Sequence, residues 1–95
     1  MYTFRAKVWI YSGQGAWHFV TLPAKTAREL KEDYGHSRRG WGTIKVTAST
    51  GKTKWNTSVF PEKKSGSFVL PIKMEVRKAE KISAGKTIQV HLEIA

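Results

Sequence analysis

The chain has 95 residues, 40% of them hydrophobic and 25% charged, with no cysteine and 17 Lys+Arg against 7 Asp+Glu for a formal net charge of +10. That length suits one domain, residues 1–95, with a real interior, since about 65% of the extended surface is buried at this size. The composition argues against disorder, collagen and coiled coil, and the missing thiols exclude a disulfide framework, thiolate catalysis, Fe–S clusters and Cys-type zinc sites.

From Thr3 to Ser12, Phe4, Ala6, Val8 and Ile10 alternate with Arg5, Lys7, Trp9 and Tyr11. This is the period of a half-buried strand, and it sets the aliphatic residues inside. Gly13 and Gly15 flank Gln14 and supply a turn before a second strand over Trp17 to Leu22, so the first two strands are expected to form a hairpin. Pro23 opens a helix on which Ala27, Leu30, Lys31 and Tyr34 fall at helical spacing. Lys25 with Glu29 and Arg28 with Glu32 are i,i+4 pairs on its wet side, and Gly35 is a natural stop. A loop from Gly35 to Gly42 carries His36, Arg38, Arg39 and Trp41.

The third strand runs from Thr43 to Ser49 with Ile44, Val46 and Ala48 inward. Thr50 and Gly51 turn the chain into a fourth strand, Thr53 to Phe60, whose Trp55, Thr57 and Val59 share a face. Pro61 is expected to close that strand. A charged loop, Glu62 to Gly66, leads to a short apolar strand, Ser67 to Leu70. Pro71 is then placed to start a second helix, because a first-turn position tolerates its missing N–H, with Ile72, Val76 and Ala79 on the buried face. Gly85 ends that segment. Thr87 to Ile94 alternates again, with Ile88, Val90, Leu92 and Ile94 inside. The order β-β-α-β-β-β-α-β excludes a doubly wound sheet. It predicts a mainly β fold, a small closed barrel of about six strands with two short helices, since closure removes exposed edges.

No apolar run approaches a bilayer span, and the N-terminus lacks the apolar run and small-residue cleavage site of a secretory signal, so a cytoplasmic protein away from membranes is expected. Catalytic constellations are poor. Asp33 is the only Asp, and Glu29 and Glu32 beside it belong to the solvated helix face. His18, His36 and His91 fall on different segments without metal-ligand spacing. Gly-Lys-Thr occurs at Gly51 and Gly85, but the glycine a Walker loop needs five positions earlier is Val46 in one case and Glu80 in the other. Gly13-Gln14-Gly15 and Gly40-Trp41-Gly42 lack the third glycine of a dinucleotide fingerprint, and Gly35-His36-Ser37 lacks the closing glycine of a serine elbow. No enzyme, metal or cofactor is expected. An enzymatic reading would need His18 or His36 to meet an acid such as Glu75.

The bases are more informative. Lys73, Arg77 and Lys81 recur at i, i+4 and i+8 with Lys78 beside them, a cationic ridge on the second helix diluted by Glu75 and Glu80. Arg5, Lys7, Trp9 and Tyr11 share the outer face of the first strand, and bases beside exposed aromatics suit single-stranded nucleic acid. Arg38, Arg39 and Trp41 repeat the combination. The competing reading covers Trp9 and Trp41 with a helix and leaves the lysines merely solvated. The expected function is a binding module for a polyanion, nucleic acid in the first place, held by backbone charge rather than base reading. Its expected site residues are Arg38, Arg39, Trp41, Lys73, Arg77, Lys78 and Lys81. Phosphate neutralisation by about five of its bases gives a salt slope of about −4.5. The alternative is a structural or regulatory interaction domain with an acidic protein partner. Either would act as a monomer or weak homodimer.

Gly40-Trp41-Gly42-Thr43-Ile44-Lys45-Val46, Trp55-Asn56-Thr57-Ser58-Val59-Phe60-Pro61, and Leu70-Pro71-Ile72-Lys73 with Val76-Arg77-Lys78-Ala79 resemble the domain of unknown function 1905 (DUF1905) family. Trp17-His18-Phe19-Val20 and Leu22-Pro23 fit its opening strand and helix start. The resemblance implies a double-split β-barrel over nearly the whole chain and brings no established reaction. The last third is also similar to the half-barrel of AbrB/MazE-type proteins through Leu70-Pro71, Val76-Arg77-Lys78, Ile82 and Gly85. Lys86 stands where an Asp is usual there. Those proteins read DNA with two interleaved short chains, and this chain is long enough to close a comparable barrel alone.

Overall fold

In the computed structural model, which describes residues 1–13, 15–34 and 42–95, the opening alternation forms β1 (Tyr2–Lys7), breaks at Val8 and resumes as β2 (Trp9–Ile10). The remaining elements are β3 (His18–Thr21), α1 (Ala24–Tyr34), β4 (Ile44–Thr50), β5 (Thr53–Glu62), β6 (Ser67–Pro71), α2 (Met74–Glu80) and β7 (Thr87–Ile94). The sheet order is β1-β7-β4-β5-β6-β3-β2, with every pairing antiparallel. Its two ends, β1 and β2, are one stretch of chain broken by a single residue, so the sheet curls into a nearly closed barrel. The expected mainly β barrel with two short helices is therefore present. It has seven strands rather than about six because the first strand is divided.

Two strands make the corners of the barrel by changing partners along their length. β1 pairs with β7, whereas β2 pairs with β3. At the break, the Val8 N–H donates to Lys86 O (2.9 Å) and its carbonyl accepts from Gly85 N (2.8 Å), so no backbone group is lost there. In β5, Thr53–Val59 pairs with β4, and Phe60, Pro61 and Glu62 pair with β6 on the other side. Pro61 therefore does not close its strand. It lies where pairing with β4 has ended, the edge-like position at which a missing donor is tolerated.

Alternation puts Phe4, Val8, Ile44, Val46, Ala48, Trp55, Val59, Ile88, Val90 and Leu92 in the core, and α1 adds Ala27 and Leu30. All four residues of Ser67–Leu70 are buried: Phe68 and Leu70 join the core, and Val69 lies on the outer face beneath the aromatic side chains. Ser67 Oγ donates to Leu22 O (2.7 Å), and Leu22 N to Phe68 O (2.9 Å), which fixes the entry to α1. The Tyr2 hydroxyl donates to Asp33 near the other end of that helix.

Four local expectations are corrected. Ile10 is 47% exposed, because it is the last residue of the two-residue ladder to β3, opposite the half-buried His18 at the end of the barrel. Pro71 ends β6 opposite Phe19 instead of opening a helix; α2 begins at Met74 after Lys73, which is extended (φ −73°, ψ 162°). Ala79 is exposed, so Val76 inside α2, together with Ile72 before it and Ile82 after it, anchors this segment. On α1, among the described residues, Lys25/Glu29 and Arg28/Glu32 do not close as ion pairs, an outcome consistent with the small value of exposed pairs. No helix among the described residues is long and apolar enough to cross a membrane.

Candidate functional site

Cross-strand partners lie on the same face of a sheet, and residues two apart on one strand share it too. In the half built from β5, β6, β3 and β2, the pairs Trp9↔Phe19, Phe19↔Pro71, Thr21↔Val69 and Phe60↔Val69 therefore define one outer face. Two-residue steps add Tyr11, Trp17 and Glu62. These side chains surround a concavity of about 420 Å³ lined by Trp9, Tyr11, Trp17, Phe19, Phe60, Glu62 and Val69. Its rim aromatics are open to solvent, Trp17 by 56%, Tyr11 by 53% and Phe60 by 40%.

The rings are ordered. Phe19 lies between Trp17 (centroids 6.1 Å, 12° between planes) and Trp9 (5.1 Å, 35°). Trp9 Nε1 donates to Thr21 Oγ1 (2.9 Å), which satisfies the indole and sets its plane. The Tyr11 N–H donates to Trp17 O (2.8 Å), carrying the hairpin ladder one step past β3. A row of packed rings with an exposed indole at one end is a stacking surface for a flat, unsaturated ligand.

Exposed cations flank this face in sequence. Lys7 and Arg5, two and four residues before Trp9, point outward on β1 opposite Thr87 and Gln89, beside the aromatic face rather than on it, and both are exposed and without ion pairs among the described residues. Lys63 and Lys64 follow Glu62 in the turn to β6, both exposed. Ile72 N donates to His18 O (2.9 Å), and one further step of that register sets the extended Lys73 opposite Trp17.

The sequence-predicted site is only partly assembled here. Lys73 lies between β6 and α2 with its Nζ 3.8 Å from Glu75. Arg77 is half-buried, and its Nε donates to Ile72 O (3.1 Å). Lys78 is exposed on α2. Lys81 is beyond the last helical residue in the left-handed region (φ 54°), and its carbonyl accepts from Lys86 Nζ (3.3 Å). The i, i+4, i+8 ridge thus loses its third member to the helix end and its middle member to a backbone contact. Arg38, Arg39, Trp41 and His36 lie outside the described residues. Trp17, Phe19 and Phe60 were missed as site residues. Their signal was the register: only when strands are paired do these aromatics fall on the face that already carries Trp9 and Tyr11.

The other outer face, over β1, β7, β4 and β5, is polar. A smaller concavity of about 280 Å³ there is lined by Met1, Thr47, Ser49, Lys54, His91 and Glu93, with His91 Nδ1 2.8 Å from Thr3 Oγ1. His18 Nδ1 is 2.9 Å from Ala16 O, while Glu75 pairs outward with Lys73. The turn Gly51-Lys52-Thr53 does hold an anionic group, but it is the chain's own: Glu80 Oε2 accepts from Lys52 N (3.2 Å) and Thr53 Oγ1 (2.6 Å).

The molecule is thus a small split β-barrel with one aromatic and one polar outer face. Residues 4–92 match the family described as Domain of unknown function (DUF1905), and the chain belongs to that family. No curated protein matches the sequence.

Proposed function

We propose that this barrel is a non-enzymatic binding module for single-stranded nucleic acid, with bases stacking on the aromatic outer face and phosphates meeting the surrounding cations. The observation that carries the reading is the aromatic face: Trp9, Tyr11, Trp17, Phe19 and Phe60 line one concavity, and the exposed Lys7 and Arg5 precede Trp9 on the adjoining strand β1. A stacked base contributes about 1–3 kcal/mol whatever its identity, and a net charge of +10 concentrates polyanions around the molecule. Duplex DNA hides its base faces, so it would meet the cations without the rings.

Fluorescence anisotropy with an oligothymidylate of about ten nucleotides, within the range of single-domain binders, tests this. If Arg5, Lys7, Lys63, Lys64 and Lys73 each neutralise a phosphate, the salt slope is about −3.5, and affinity falls about a hundredfold between 50 and 200 mM salt. The same sequence as a duplex should bind more weakly. Equal binding of duplex and single strand would remove the stacking role, and no binding at low salt would remove the function.

A further inference from the structure

Glu62 fits poorly with a surface that offers only stacking and positive charge. It is half-buried and lies at the rim of the aromatic concavity. It also walls the adjoining one, about 380 Å³, shared with Pro61, Lys63, Gly66 and Ser67. Its backbone is fixed by pairing with Ser67 and by Gly66 N donating to its carbonyl (3.0 Å). Its carboxylate has no hydrogen-bond or ion-pair partner among the described residues, although the chain has 17 Lys+Arg and two lysines follow Glu62 directly. An ionised carboxylate only accepts hydrogen bonds, and beside a phosphate it would repel. It faces the part of the site farthest from Arg5 and Lys7: with the order β5-β6-β3-β2, three strand spacings, about 14 Å, separate its strand from that of Trp9.

Resting on the single-strand reading above, the geometry points to Glu62 as the residue that selects the base, by accepting two hydrogen bonds from the Watson–Crick edge of guanine. The groove offers rings in the middle for the base and the Glu62 carboxylate at the β5 edge for the base edge, while the exposed Lys7 before Trp9 and Lys63 and Lys64 after Glu62 are left for the flanking phosphates. Guanine presents two adjacent donors there, N1–H and the N2 amino group, which match two carboxylate oxygens. Adenine and cytosine place an acceptor next to their amino group, and thymine and uracil flank a single N–H with two acceptors, so each would turn a lone pair toward Glu62. A methylated ammonium also suits aromatic rings and a carboxylate. Lys63 and Lys64 beside Glu62 and a net charge of +10 favour the neutral base of an anionic strand over a cationic ligand.

The test is a titration of the intact chain, followed by tryptophan fluorescence, with oligothymidylates carrying one central guanine, inosine, adenine, cytosine or thymine. A good bidentate base contact predicts that the guanine strand binds about tenfold or more tightly than those with adenine, cytosine or thymine. Inosine, which keeps N1–H and lacks the amino group, should fall between. Glu62→Ala should bring the guanine-to-thymine ratio to about one. Binding of all five strands with equal affinity would overturn the role of Glu62 and leave the nucleic-acid reading intact, whereas no binding by any strand would overturn both. Tighter binding of a trimethyllysine peptide than of the guanine strand would assign the concavity to a cation and overturn the proposal.

Discussion

An indole held in water gains the fold little, and Trp17 is the clearest case in this chain. It lies outside β3, stacks one face on Phe19 and leaves more than half of its surface open. Trp17→Ala is therefore expected to lower stability by about 1 kcal/mol or less, as for substitutions away from the core, yet to weaken single-strand binding by about 1–3 kcal/mol, the value of one stacked base. Urea unfolding and an oligothymidylate titration of the same variant check both halves. A loss of stability without loss of binding would make Trp17 a structural residue only. At this scale the sequence was legible where alternation was regular: Trp9 and Tyr11 face outward as read. It failed at Ile10, whose place in the pattern is inward but which lies at the very end of the short β2–β3 ladder.

At the scale of elements, the barrel is held where helices meet turns. α2 has seven residues and no side-chain hydrogen bond at its N-cap, so its own propensity gives little stability; Val76 and Glu80 fasten it instead. The Glu80 carboxylate closes over the β4–β5 turn, where Gly51 has φ +58° and a Cβ would overlap that carboxylate. Gly51→Ala should destabilise the fold by about 1–2 kcal/mol from the left-handed backbone alone, and by more because Glu80 is displaced. Glu80→Gln keeps the shape but weakens two charge-assisted bonds, and should cost about 1 kcal/mol. Denaturant midpoints of the two single variants and the double variant would show the coupling; strict additivity would contradict the contact. The role of Gly51-Lys52-Thr53 could be bounded from sequence only negatively, as the wrong spacing for a phosphate loop. The acid it holds comes from 27 residues away, beyond any local pattern. Pro61 and Pro71 misled for a related reason: Pro61 read as a strand end and Pro71 as a helix start, and the folded chain keeps both within strand ladders, paired on one edge only.

Across the whole molecule, the barrel itself was legible because each long strand shows its period, and the resemblance to DUF1905 pointed the same way. The site was less so. The cationic ridge on α2 assumed that helical spacing continues to Lys81, but the helix stops at Glu80 and Arg77 turns back to Ile72 O. The aromatic face depends on which strands become neighbours, and no segment of sequence contains β5, β6, β3 and β2 together. The resulting molecule has two unlike outer faces, and the central claim is that nucleic acid uses the aromatic one. Backbone and indole chemical-shift mapping of the intact chain against an oligothymidylate tests this most directly. The account predicts that the Trp9 and Trp17 indole signals and the amides of Tyr11, Phe19, Phe60 and Glu62 move, while those of Thr47, Ser49 and His91 on the polar face stay. Shifts confined to Arg77, Lys78 and Lys81, or to the polar face, would contradict it.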